Sequence, residues 1–272
     1  MTATVSAVRD IYKHNRRSTR FSFSMTSIPS RILQLSGGCE PQLVWTNERG
    51  GSTYQVGDRF VKWNPHWTRL DLEGERQRLQ WAARYHNVPR VLDWGANEEA
   101  QWLVTAALPG EGAVMEPWLS QPLVAARAIG RGLRILHEAL PVADCPFEWS
   151  VAMRTGRRVS AEQLGVPPVD RLVVCHGDPC SPNTIIGSDG NPVGHVDFGQ
   201  LGVADRWADL AVASMNLDYN YGPGWEDEFF RAYDVEPDAR RIAYYRFLWD
   251  NEDNIGISAD ATRELVRLGK ES

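Results

Sequence analysis

The sequence predicts an α+β chain of two lobes, a small antiparallel β-sheet N-lobe with one helix and a larger, mostly helical C-lobe. Three observations predict it. Short apolar runs separated by glycine turns fill residues 41–105, the pair Pro109-Gly110 ends them, and amphipathic helical spacing dominates the remainder of the chain. With 272 residues, 43% hydrophobic, the chain can bury a full core as one large domain or two lobes.

Residues 1–25 read as a disordered tail, with basic residues but no apolar stretch of the kind a secretory leader needs. Arg16-Arg17-Ser18-Thr19-Arg20 has the flavour of a transit peptide, yet Asp10 and the lack of amphipathicity argue against one; Met25 is a candidate natural start. The first lobe is expected over residues 26–107 and the second over 108–272. Leu43-Val44-Trp45 reads as a strand, followed by the turn Asn47-Glu48-Arg49-Gly50-Gly51-Ser52. Next come Thr53-Tyr54-Gln55-Val56, a two-residue Gly57-Asp58 turn and Arg59-Phe60-Val61-Lys62-Trp63, a hairpin signature. Residues 70–85 have helical period, and residues 91–95 and 101–105 read as two further strands.

Residues 122–140 form a long amphipathic helix with Leu123, Ala126, Ile129, Leu133 and Leu136 on one face. Leu172-Val173-Val174 and Thr184-Ile185-Ile186 flank a proline-rich loop; Ser188-Asp189-Gly190-Asn191 then turns the chain into a returning strand at residues 193–196. Helical spacing resumes at residues 206–217, 227–233 and 238–250. No repeat is visible. No apolar run approaches membrane-spanning length, and four cysteines without a CxxC pair suit a reducing cytoplasm rather than a zinc site.

The chemistry concentrates in His176-Gly177-Asp178, Asn183 and Asp197-Phe198-Gly199. Asp178 and Asn183 are separated by Pro179-Cys180-Ser181-Pro182, which is not expected to be helical because two prolines remove donors and restrict their neighbours. A hydroxyl nucleophile needs a carboxylate to orient it and accept its proton, and Mg²⁺ takes oxygen ligands from one or two side chains plus phosphates. Asp178 suits the base, with Asn183 and Asp197 as metal ligands. Each aspartate alone is an ordinary turn former; the ordered set is what carries the reading.

Lysine usage adds to it. Of 29 basic residues only Lys13, Lys62 and Lys270 are lysine, so Lys62 stands alone in the body of an arginine-rich chain. A compact ammonium on a flexible stem suits phosphate contact. Glu75 on the next helix is placed to hold it, with Glu73 as the alternative if the helix phase is shifted. Gly50, Gly51 and Ser52 offer a turn whose bare amides can approach phosphate oxygens, and the backbone from Ala106 to Leu108 can meet adenine. Between Asp218 and Asp253, ten acids face four arginines, a skew that argues against nucleic acid and for a cationic ligand or a solvated face. Asp250, Glu252 and Asp253, beside Phe247 and Trp249, are the pocket candidates.

Over roughly residues 42–250 the chain resembles the aminoglycoside phosphotransferase family, whose fold is protein-kinase-like. The family's HGDxxxxN signature stands as His176-Gly177-Asp178-Pro179-Cys180-Ser181-Pro182-Asn183, and its second signature runs through Val196-Asp197-Phe198-Gly199 to Asp209-Leu210-Ala211. Asp144-Cys145-Pro146-Phe147 and the Pro179-Cys180 pair look most like the branch that phosphorylates streptomycin at its 3″-hydroxyl. The resemblance implies ATP and Mg²⁺ as cofactors, Asp178 as catalytic base, Asn183 and Asp197 as metal ligands, Lys62 with Glu75 as phosphate anchor, and Ala106 and Leu108 as adenine hinge. It implies a small cationic substrate, antibiotic resistance, and neither membrane, nucleic acid nor obligate protein partner. Gln200 departs from the family's DxGR, and the stretch between Phe147 and His176 is shorter than in the streptomycin branch. His176, Asp205 and Asp209 are expected to brace the loop, the two acids through backbone and arginine. A same-fold kinase of another hydroxyl metabolite and a non-catalytic nucleotide-binding protein are the competing readings.

Overall fold

A computed structural model describes residues 28–270; the expected tail and Met25 lie outside the described residues. The described chain divides into two compact units, one reaching Ala83 and adding Pro89–Leu108, the other comprising Arg84–Val88 and the chain from Pro109.

The first unit begins with α1 (Ser30–Leu35), followed by the strands β1 (Gln42–Thr46), β2 (Ser52–Val56), β3 (Arg59–Pro65), β4 (Val91–Ala96) and β5 (Ala100–Ala106). These form one antiparallel sheet of order β1-β2-β3-β5-β4. Gly57 takes the left-handed φ of 61° that the tight β2–β3 turn demands. Tyr54, Val56, Val61, Trp63, Trp102 and Val104 alternate onto one buried face, and Ile32 of α1 packs there with no exposure. Six residues are too few to show a helical period, which is why α1 escapes a sequence reading. The helix α2 (Leu72–Ala82) is shorter than the 70–85 expected. Arg69 adopts a left-handed conformation, and the Asp71 carboxylate accepts the Gly74 N–H at 3.0 Å, so the cap sets the start.

In the second unit α3 (Pro122–Ala139) opens on its proline, where a missing N–H costs nothing. Ala126, Ile129, Leu133 and Leu136 are buried as expected, but Leu123, in the first turn, is 38% exposed. The strand β6 (Glu111–Gly112) pairs with β8 (Thr184–Ile186), which pairs in turn with β9 (Pro192–His195). The strand β7 (Leu172–Cys175) joins a separate ribbon with β10 (Gly202–Asp205), an element that local sequence pattern does not announce. The helices α4 (Val151–Arg154), α5 (Trp207–Tyr221), α6 (Glu226–Tyr233), α7 (Ala239–Asn251) and α8 (Ala259–Lys270) complete it, α4 and α8 also unanticipated. No helix among the described residues is long and apolar enough to cross a membrane.

Candidate active site

The loop after β7 is pinned from beneath by one buried carboxylate. Asp209, in the first turn of α5, accepts the N–H of His176 at 2.6 Å and of Gly177 at 3.0 Å. The same carboxylate receives His137 Nε2 of α3 at 3.0 Å, while His137 Nδ1 meets the Tyr233 hydroxyl at 2.8 Å. Burial alone would raise the Asp209 carboxyl, but the hydrogen bond and charge of His137 outweigh it and hold it below the usual range. Asp205 accepts N–H groups from Asp170 at 2.9 Å and Trp207 at 3.1 Å. The expectation that these acids brace backbone and arginine is therefore half corrected: histidine, not arginine, is Asp209's side-chain partner, and Arg206 pairs with Asp170 instead.

Gly177 has φ 86°, and a Cβ there would stand 2.3 Å from the Gln200 carbonyl oxygen, so no other residue fits. His176 is fully buried, and its Nε2–H donates to the Val196 carbonyl at 2.9 Å. That leaves Nδ1 to accept the Asp178 N–H at 3.2 Å, which assigns the neutral tautomer and a supporting role. Residues 181–183 form a single 3₁₀ turn, so the segment is not wholly non-helical; Pro182 sits early in the turn, where no donor is required.

Asp178 projects from this loop with Oδ1 buried and accepting no hydrogen bond from the described residues. Burial first, and the nearby Asp197 charge second, raise its carboxyl above the usual range, with Cys180 and His176 opposing. The Asn183 amide nitrogen donates to the Asp178 carbonyl at 2.9 Å, which leaves its oxygen as the candidate ligand atom. Asp197 adopts φ 66°, a left-handed conformation that aspartate tolerates better than most residues. Phe198 beside it is fully buried, its ring 4.8 Å from that of His176. Two mutually repelling carboxylates and an amide oxygen are a hard, oxygen-only donor set that fits Mg²⁺.

In the first unit Lys62 Nζ lies 2.7 Å from Glu75 Oε1, and Glu75 is only 5% exposed. Glu73 pairs with Arg76 instead, so the geometry selects Glu75. The glycine turn departs from expectation. The Gly50 N–H donates to the Asn47 carbonyl at 2.9 Å and the Gly51 N–H to Asn47 Oδ1 at 2.9 Å, so these amides are not bare. Ser52 is buried, its hydroxyl 3.5 Å from that of Thr46. At the expected hinge the Ala106 N–H is taken by the Arg90 carbonyl at 2.9 Å, and that of Ala107 by Asp58 at 2.9 Å. The Ala106 N–H is thus not among the backbone groups offered to adenine, while the Leu108 N–H has no acceptor among the described residues.

Of the ten acids between Asp218 and Asp253, at least Glu226, Glu228, Asp234, Asp238 and Glu252 are in ion pairs. Glu252 faces Arg154 at 3.2 Å, whose fully buried guanidinium lies 5.1 Å from the Trp149 ring and 5.9 Å from that of Trp249. Its assignment to substrate is corrected to a structural pair, leaving Asp250 and Asp253 on the exposed surface. His137 was missed, since a histidine on the apolar face of a helix is ordinarily a core residue; its only sequence signal was a polar group in a buried stripe.

A five-stranded antiparallel unit with a lysine–glutamate pair, and a helical unit that carries Asp178 and Asn183 on the loop after β7 and Asp197 just after β9, define a kinase-like phosphotransferase. Comparison with known proteins agrees. The family model "Phosphotransferase enzyme family" matches residues 31–163 and 154–245. An aminoglycoside 3'-phosphotransferase of Streptomyces fradiae is 34% identical over 80% of this chain and 89% of its own. A streptomycin 3''-kinase of Streptomyces griseus is 33% identical over 75% of this chain and 89% of its own. The solved aminoglycoside phosphotransferase APH(3'')-Id of Streptomyces rimosus, in complex with ADP and streptomycin, superposes with TM-score 0.61 and 26% identity over 82% of this chain and 97% of that one. The chain belongs to the aminoglycoside phosphotransferase family, an enzyme family of protein-kinase-like fold.

Proposed function

We propose that the protein transfers the γ-phosphoryl of Mg-ATP to a hydroxyl of an aminoglycoside, the 3″-hydroxyl of streptomycin, and so confers resistance from the cytoplasm. The observation that carries the chemistry is Asp178: a carboxylate on a loop pinned by Asp209, with a buried Oδ1 that accepts no hydrogen bond from the described residues and so keeps its capacity to take a hydroxyl proton. Burial and the nearby Asp197 charge raise its carboxyl, which makes it a better proton acceptor than an ordinary aspartate. Asn183 Oδ1 and the Asp197 carboxylate would hold Mg²⁺, which when bound offsets phosphate charge. Lys62, held by Glu75, would anchor the α- and β-phosphates. Gly50, Gly51 and Ser52 line the nucleotide turn, and Leu108 supplies the hinge donor. Asp250 and Asp253 would meet the cationic substrate. Transfer is in line and needs no covalent enzyme intermediate.

Streptomycin rests on the Pro179-Cys180 resemblance and on the 33% identical streptomycin 3''-kinase. The 34% identical aminoglycoside 3'-phosphotransferase favours a second reading, transfer to a 3'-hydroxyl. Measuring ADP release with streptomycin and with 3'-hydroxyl aminoglycosides, and locating the phosphate by NMR, decides between them. Turnover with none of these substrates would refute the proposal.

A further inference from the structure

The turn between β1 and β2 is closed around the side chain of Asn47. Asn47 Oδ1 accepts the N–H of Arg49 at 3.1 Å and of Gly51 at 2.9 Å. The ring is completed by Asn47 N–H to the Gly51 carbonyl at 2.8 Å and Gly50 N–H to the Asn47 carbonyl at 2.9 Å. One oxygen accepting two backbone N–H groups of a concave glycine turn is how such a turn receives a phosphate oxygen. Here the carboxamide does it.

The surroundings hold the turn in that shape. Gly50 has φ 91°, and a Cβ on it would fall 2.1 Å from the Trp67 ring. A Cβ on Gly51 would fall 2.3 Å from Asn64 Oδ1 and 2.7 Å from Asn47 Nδ2. Trp67 and Asn64, from the segment around the end of β3, thus leave the glycines no room for a side chain, while Asn47 Oδ1 holds the Arg49 and Gly51 N–H groups.

We propose that Asn47 is the residue that sets nucleotide affinity, its carboxamide occupying the amide pair that a nucleotide phosphate takes on binding. The inference rests on the phosphotransferase reading. A phosphate oxygen carries more negative charge than a carboxamide oxygen and makes the stronger, charge-assisted bond, so it wins the exchange. Binding is nevertheless weakened by the bonds that must first be given up.

Substituting Asn47 tests this, because removing the plug and merely loosening the turn act in opposite directions. Calorimetric titration with Mg-ADP reads the dissociation constant. Asn47→Ala frees both amides and lowers it about three- to tenfold, the equivalent of one net hydrogen bond. Asn47→Asp puts a full charge on the same two amides and raises it about tenfold or more. Asn47→Ser, with a shorter acceptor, falls between wild type and Asn47→Ala. If Asn47 only stabilises the turn, Asn47→Ala raises the constant or leaves it unchanged, and the inference is overturned. A wild-type protein that binds no Mg-ADP would instead sink the phosphotransferase reading itself, so the two failures are distinguishable.

Discussion

Replacing Asp209 by asparagine tests how the catalytic loop is held. The native carboxylate takes three donors, the N–H groups of His176 and Gly177 and the Nε2–H of His137, all in a fully buried setting. Asparagine has one oxygen. Placed where Oδ2 stands, it keeps His176 and His137, and its NH₂ then faces the Gly177 N–H. One buried donor loses its acceptor, at about 1–3 kcal/mol, and two charge-assisted bonds become neutral, at roughly 1 kcal/mol each. The sum is about 3–5 kcal/mol, a large part of a typical domain's stability of about 5–15 kcal/mol but short of all of it. Urea unfolding of wild type and Asp209→Asn at pH 7.5 measures the loss, and turnover of the folded variant falls because Asp178 moves with the displaced loop. A loss below about 1 kcal/mol would show that the three donors find other acceptors and that Asp209 does not anchor the loop.

The same geometry sets other outcomes. Asp178→Ala removes the proposed base and abolishes phosphoryl transfer, a loss of at least about 10²-fold, while Mg-ADP titration still shows binding; retained turnover would exclude Asp178 as base. Lys62→Met raises KM for ATP and leaves Glu75 buried without its cation at 2.7 Å, so Glu75→Gln should recover some of the lost thermal stability in the double variant. Burial depresses the His86 imidazole from 6.5 to about 4, so the folded state binds fewer protons than the unfolded one across that window. His86 therefore contributes stability that is fully present above pH 6.5 and is lost as pH falls toward 4, by about 3 kcal/mol at most. Urea midpoints from pH 7.5 to 4.5 should drop less steeply for His86→Phe than for wild type; parallel curves would remove His86 from the account. Gly177→Ala forces a Cβ against the Gln200 carbonyl at 2.3 Å and should cost at least about 2 kcal/mol with loss of turnover.

Much of the fold is legible because local rules and burial agree. The β2–β3 hairpin comes from alternation and the Gly57-Asp58 turn, and α3 from a stripe that ends up against the core. The elements that escaped reading are short or pair at long range. The four-residue strand β10 exists through its register with β7, Gly202 opposite Cys175, some 27 residues away, and no local signal announces such a partner. The short helix α1 is held by Ile32 against the sheet rather than by its own period.

The sequence by itself determined which groups are the candidates for the chemistry. Asp178, Asn183, Asp197 and a solitary Lys62 are residue types that phosphoryl transfer requires, and their order survives any change of packing. Tertiary structure alone decided how those groups are held and which neighbours are spent. It chose Glu75 over Glu73, took Glu252 away to Arg154, and closed the glycine turn on Asn47. The reason is physical: a buried donor, acceptor or charge must find a partner, and that partner comes from whatever chain the fold brings near.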